Sequence, residues 1–211
     1  MFQVTNLFVY KLIFGAALFV AETMFLFRQK KRSYFPLRLG LSAAVFFGLV
    51  AVFPLLRYDA VYSSLMFSVF FFLSVLLALA CYDMNSQACL FCTAAGYTVQ
   101  HLASVCYDLV TTLGGFSSTA QVYSDSAAHL DLFTALIFLE VYALVYWVLY
   151  QLFGRKLKGG REITIRKPSL LALVVLTILV EIVLNAFVIY RKYDSLDLTY
   201  YLSASLTNII C

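Results

Sequence analysis

Two rows of polar side chains interrupt an otherwise apolar sequence. Tyr97, His101, Ser104, Asp108 and Thr111 recur at i, i+4, i+7, i+11 and i+14, a spacing that places them on one face of a helix. Thr177, Glu181 and Asn185 form a second stripe at i, i+4 and i+8, and Glu140 stands alone in a long apolar run. An ionisable side chain inside a membrane span costs roughly 2.5–3.5 kcal/mol on insertion scales, so such groups face the bundle interior or a wet cavity. His101, Glu140 and Glu181 fall at about the same depth. A histidine bracketed by carboxylates can bind a polar ligand, relay a proton or respond to pH. The same three groups can equally hydrogen-bond across helices and fix packing, at about 0.6–2 kcal/mol per contact. The candidate signal or ligand residues are therefore Tyr97, His101, Asp108, Glu140, Glu181 and Asn185.

Lys11 lies toward the same end of its span as Asp108 does of its own, so the two can pair, or Lys11 can snorkel to the surface. Glu22 precedes Arg28 by about one and a half turns, and pairing with the basic segment that follows is its simplest account. Cys89-Leu90-Phe91-Cys92 is a CxxC with Cys81 a short loop away, but no fourth ligand stands nearby, and one CxxC in an apolar helix is a weak metal or redox signal. The five cysteines are an odd number and make no disulfide framework. No HExxH, GxSxG or phosphate-loop pattern occurs, and Gly159-Gly160-Arg161 is an isolated turn. The chain carries no catalytic motif, and no cofactor or metal is implied.

The elements that must hold these residues follow from composition. Of 211 residues, 63% are hydrophobic and 12% charged, with mean hydropathy +0.90; soluble domains carry about 25% charged residues. A soluble enzyme and a nucleic-acid-binding domain are excluded, and the lipid bilayer becomes the expected surrounding. About 20 apolar residues cross the hydrocarbon as a helix, and six segments qualify: 6–27, 37–56, 60–82, 88–113, 130–153 and 169–190. A seventh begins near Leu196, and its residues to Cys211 would rise only about 24 Å, as a truncated span. The expected fold is an all-α polytopic transmembrane bundle, six full spans plus a truncated seventh, with residues 1–211 forming one membrane domain. Arg28, Lys30, Lys31, Arg32 and Arg38 follow the first span, and Arg155, Lys156, Lys158, Arg161, Arg166 and Lys167 follow the fifth. Positive charge marks the cytoplasmic side, which puts the amino terminus outside. The positive charges follow the first apolar stretch, so it does not read as a cleavable signal peptide. The outer 114–129 connection, with His129, reads as a plain connector or as a ligand-touching loop.

Ala21-Glu22-Thr23-Met24-Phe25-Leu26-Phe27-Arg28, followed by Lys30-Lys31-Arg32-Ser33-Tyr34-Phe35-Pro36-Leu37-Arg38, resembles the end of helix 1 and the first basic loop of GHKL-type membrane sensor histidine kinases of Firmicutes. Ala95-Gly96-Tyr97-Thr98-Val99-Gln100-His101-Leu102-Ala103 is similar to their helix 4 segment, and the basic loop through Lys167 followed by Val183-Leu184-Asn185 is a further match. The resemblance implies the sensor domain of a two-component system in the bacterial plasma membrane. It implies a homodimer, an unidentified small ligand or peptide as signal, and a cytoplasmic response regulator reached only through a kinase domain that would follow Cys211. His101 lies in a span and does not correspond to the phosphoacceptor. A stand-alone small-molecule binder or transporter subunit is the alternative, and a structural membrane protein without a ligand is a third class.

Overall fold

The computed structural model describes residues 6–53, 60–114, 132–156 and 168–191. These form six helices: α1 (Asn6–Leu26), α2 (Phe35–Val52), α3 (Ala60–Cys81), α4 (Ser86–Leu113), α5 (Leu132–Leu152) and α6 (Pro168–Arg191). A single 3₁₀ turn, Gly154–Lys156, follows α5. Among the described residues there is no strand, only an isolated antiparallel bridge between Lys31 and Tyr82. The helix starts have local causes. Pro36 occupies the first turn of α2 and Pro168 opens α6, positions where the missing N–H costs nothing. Asn85 caps α4, its Oδ1 accepting from the Ala88 N–H at 2.7 Å.

Helix α4 is the centre of the bundle, packing against α1, α3, α5 and α6, while α2 lies outside against α1 and α3. The shared core is aromatic and aliphatic, with Leu18, Phe25, Phe46, Phe70 and Phe71 fully buried beside Cys81, Cys89 and Cys92. A smaller cluster of Ala103, Tyr107 and Tyr142 joins α4 to α5. The outer faces are apolar in turn: Leu37, Leu41 and Val45 on α2, Val61, Leu65 and Val69 on α3, and Leu136, Leu144 and Trp147 on α5 are all exposed. Exposed apolar surface of this extent suits contact with lipid or protein rather than water.

The helices match the six predicted segments in order and nearly in length. Among the described residues three stretches, at Phe35–Val52, Ser64–Cys81 and Ala135–Leu152, are long and apolar enough to cross a membrane, and those of α1 and α6 include shorter apolar stretches at Leu12–Leu26 and Pro168–Val183. The expectation of six full spans is thus met by three on length and apolarity. Helix α4 falls outside that set because its polar residues are covered by neighbouring helices and need not be apolar. The predicted seventh segment, from Leu196 to Cys211, and the 115–131 part of the outer connection lie outside the described residues.

The α1–α2 and α3–α4 connections meet at one end of the bundle. Arg32 N–H donates to the Cys81 carbonyl and Asp83 N–H to that of Lys30. The Arg32 and Arg38 side chains donate to the carbonyls of Tyr82 and Ala80. Arg28 donates to the Arg155 carbonyl and the Tyr150 hydroxyl, both at 3.2 Å, so the residues after α5 arrive at this same end. Lys30 Nζ lies 2.6 Å from Asp83 Oδ2, an exposed pair. The hydrogen bond and opposite charge hold the Asp83 carboxyl below its ordinary pKa and Lys30 above its own.

Candidate functional site

The polar stripe of α4 faces the interior, as its spacing predicts. Tyr97 and Thr111 are buried, and His101, Ser104 and Asp108 are half-buried. The stripe is divided between two neighbours. Its first half meets α6: His101 Nε2 lies 3.0 Å from Glu181 Oε1, the two side chains only 17% and 14% exposed. The Tyr97 hydroxyl is within electrostatic reach of Glu181, while its ring packs edge-on against Phe71 of α3. The second half meets α5, where the Tyr142 hydroxyl is within hydrogen-bonding reach of Ser104 and Gln100. The Tyr107, Phe138 and Tyr142 rings pack together beside them. Thr111 returns its hydroxyl to the Tyr107 and Asp108 carbonyls.

Three expectations are corrected. Glu140 does not join His101 and Glu181: it is exposed on the outer face of α5. The inward face of α5 runs through Phe138, Tyr142 and Tyr146, each one turn from the next, and a residue two positions from Tyr142 points about 200° away. Thr177 does not continue the polar stripe inward; it is exposed and donates to the Leu173 carbonyl, the local bond a short hydroxyl makes when no partner is near. Glu22 does not pair with the basic segment. It is buried, at 5% exposure, and its Oε1 has no hydrogen-bond partner. The helical positions of Lys11 and Asn185 agree with the spans proposed for them, but their side chains, like all of His129, lie outside the described residues.

The sequence reading missed Gln100, Tyr142, Ser42 and Ser74. Gln100 is fully buried and its Nε2 has no hydrogen-bond partner; it adjoins His101, and an amide inside an apolar helix was the available signal. Tyr142 lies i+2 from Glu140, which drew attention to the wrong face. Cys81, Cys89 and Cys92 are unpaired and buried, with Cys89 Sγ donating to the Val75 carbonyl at 3.4 Å. Among the described residues no three His, Cys, Asp or Glu side chains are grouped as a metal site requires.

The arrangement can hold a proton or polar contact between α4 and α6 in a space largely shut from solvent. Compared with known protein families, curated proteins and solved structures, the chain matches none.

Proposed function

We propose that the chain is the membrane-embedded sensing domain of a GHKL-type sensor histidine kinase in a bacterial plasma membrane. It would relay an external or membrane signal to a cytoplasmic kinase domain following Cys211. In this reading all six helices cross the bilayer, a seventh span begins near Leu196, and the end carrying Arg28 to Arg38 faces the cytoplasm. The domain works as a homodimer, and its signal is a small ligand or a peptide. The observation that carries the reading is the His101–Glu181 contact at 3.0 Å. It ties the central helix to α6, the helix after which the chain runs toward the kinase. A signal that favours one arrangement of this contact over another shifts the balance of two bundle states by its differential affinity. The family itself rests on the resemblance of the segments around Glu22 to Arg38 and Ala95 to Ala103.

Sequencing the encoding DNA beyond the Cys211 codon tests the reading. The expected result is a frame that completes the seventh helix and continues into a phosphoacceptor histidine and ATP-binding boxes. A stop codon directly after Cys211 would overturn it in favour of a stand-alone binder or transporter subunit.

A further inference from the structure

Among the described residues Glu140 is the one carboxyl or basic side chain left exposed in the middle of a helix. At 1.5 Å per residue it stands about 12 Å from the start of α5 and about 18 Å from its end. From there the side chain is too short to reach either surface of a bilayer that α5 crosses. The outer face around it is apolar, with Leu136, Leu139 and Leu144 exposed. Among the described residues Glu140 makes no hydrogen bond and no ion pair. A carboxyl at that depth belongs against protein or in a wet cavity, because lipid tails offer it no partner.

The surface that carries it has the form of a helix-pairing seam. Phe133, Leu136, Glu140, Ala143 and Trp147 recur at steps of three, four, three and four, and all five are exposed. That alternation keeps one stripe of side chains turned toward a partner helix in left-handed coiled-coil packing, where a single polar position fixes register and oligomeric state. Ala143, about one turn from Glu140, is the small residue that lets two backbones approach. Helix α5 is also placed for such a contact. It packs chiefly on α4 and is the least buried of the three long apolar spans.

We infer that this outer face of α5 is a homodimer interface, a parallel pairing of α5 with the α5 of a second copy, in which the two Glu140 carboxyls hydrogen-bond to each other. Depth selects a second copy over another protein. Two copies inserted in the same orientation are related by a two-fold axis along the bilayer normal, so each residue near that axis meets itself at the same depth. The seam therefore pairs in register, and one carboxyl donates to the other within it. The inference rests on the membrane reading and homodimer proposed above, and adds the face through which the copies meet.

Disulfide cross-linking in membranes from cells expressing the full chain, in a cysteine-free background, tests it. Ala143→Cys, treated with copper–phenanthroline, should run as a dimer that a reductant dissolves, since a disulfide needs Cα atoms within about 7 Å. Phe72→Cys is the control: it is exposed on α3 and, like Ala143 on α5, stands nine residues from the end of its helix. It should stay monomeric. Adding Glu140→Leu to Ala143→Cys should abolish the dimer band, whereas Glu140→Gln, whose amides also pair, should retain it. A monomeric Ala143→Cys in the membrane fraction, a cross-link to a protein of another mass, or a dimer band that Glu140→Leu leaves unchanged would overturn the interface alone. A chain found in the soluble fraction would overturn the membrane reading with it.

Discussion

At the scale of single residues, the bundle concentrates its polar chemistry on α4 and on what α4 touches. The His101–Glu181 contact is between two groups that are each little exposed, and it joins helices far apart in sequence. Interhelical polar contacts in membranes contribute about 0.6–2 kcal/mol, and a double-mutant cycle measures the share of this one. Combining His101→Ala and Glu181→Gln should cost less than the two single losses together, by about that amount. Additive losses in reversible unfolding would show that the two side chains do not act as a pair. The α4 stripe was legible because helical spacing is a property of sequence alone. The partners were not: Glu140 and Glu181 look alike in composition and depth, and only the rotation of α5 about its axis turns one outward. Glu22 was misread for the same reason, since three helices close over it and the basic residues that follow find carbonyls and Asp83 instead.

At the scale of elements, the close approach of α1 and α4 depends on one missing side chain. A methyl at Gly96 would stand 2.6 Å from Glu22 Cα and 2.8 Å from its backbone nitrogen, and backbone cannot rotate aside as a side chain can. Gly96→Ala should therefore destabilise the fold by about 1–3 kcal/mol, the usual range for overpacking. Gly48 is the control, because nothing lies within 4 Å of a methyl there, and Gly48→Ala in α2 should be neutral or slightly stabilising. Chemical unfolding of both variants in mixed micelles checks this; equal behaviour would contradict the packing described. Helix limits were readable from apolar length, and the predicted 6–27 and 60–82 end within a residue of α1 and α3. Helix α4 begins at Ser86 rather than at 88 because Asn85 supplies a cap, a local bond that hydropathy does not report. Nor does hydropathy show that α4 is surrounded, which is what allows the least apolar helix to occupy the centre.

At the scale of the whole molecule, an apolar exterior encloses a polar seam, and one end is ringed by basic residues. The connections after α1, α3 and α5 all reach that end, joined through Arg28, Arg32 and Asp83. Parity of the helices then carries the far ends of α2 and α4 to the opposite side. Composition and charge distribution made this arrangement legible before any contact was known; the seam's division between α5 and α6 depends on tertiary packing and was not. In the proposed reading the bundle lies in a membrane, its basic end faces the cytoplasm and its polar pair is enclosed. Single cysteines answer it most directly, placed in a cysteine-free background and probed in intact cells with a membrane-impermeant maleimide. Ser33→Cys, in the exposed loop at the basic end, should stay unlabelled until the cells are permeabilised, while Leu113→Cys, exposed at the far end of α4, should label at once. Labelling of Ser33→Cys in intact cells with Leu113→Cys protected would reverse the proposed orientation, and recovery of the chain in the soluble fraction would rule out a membrane bundle.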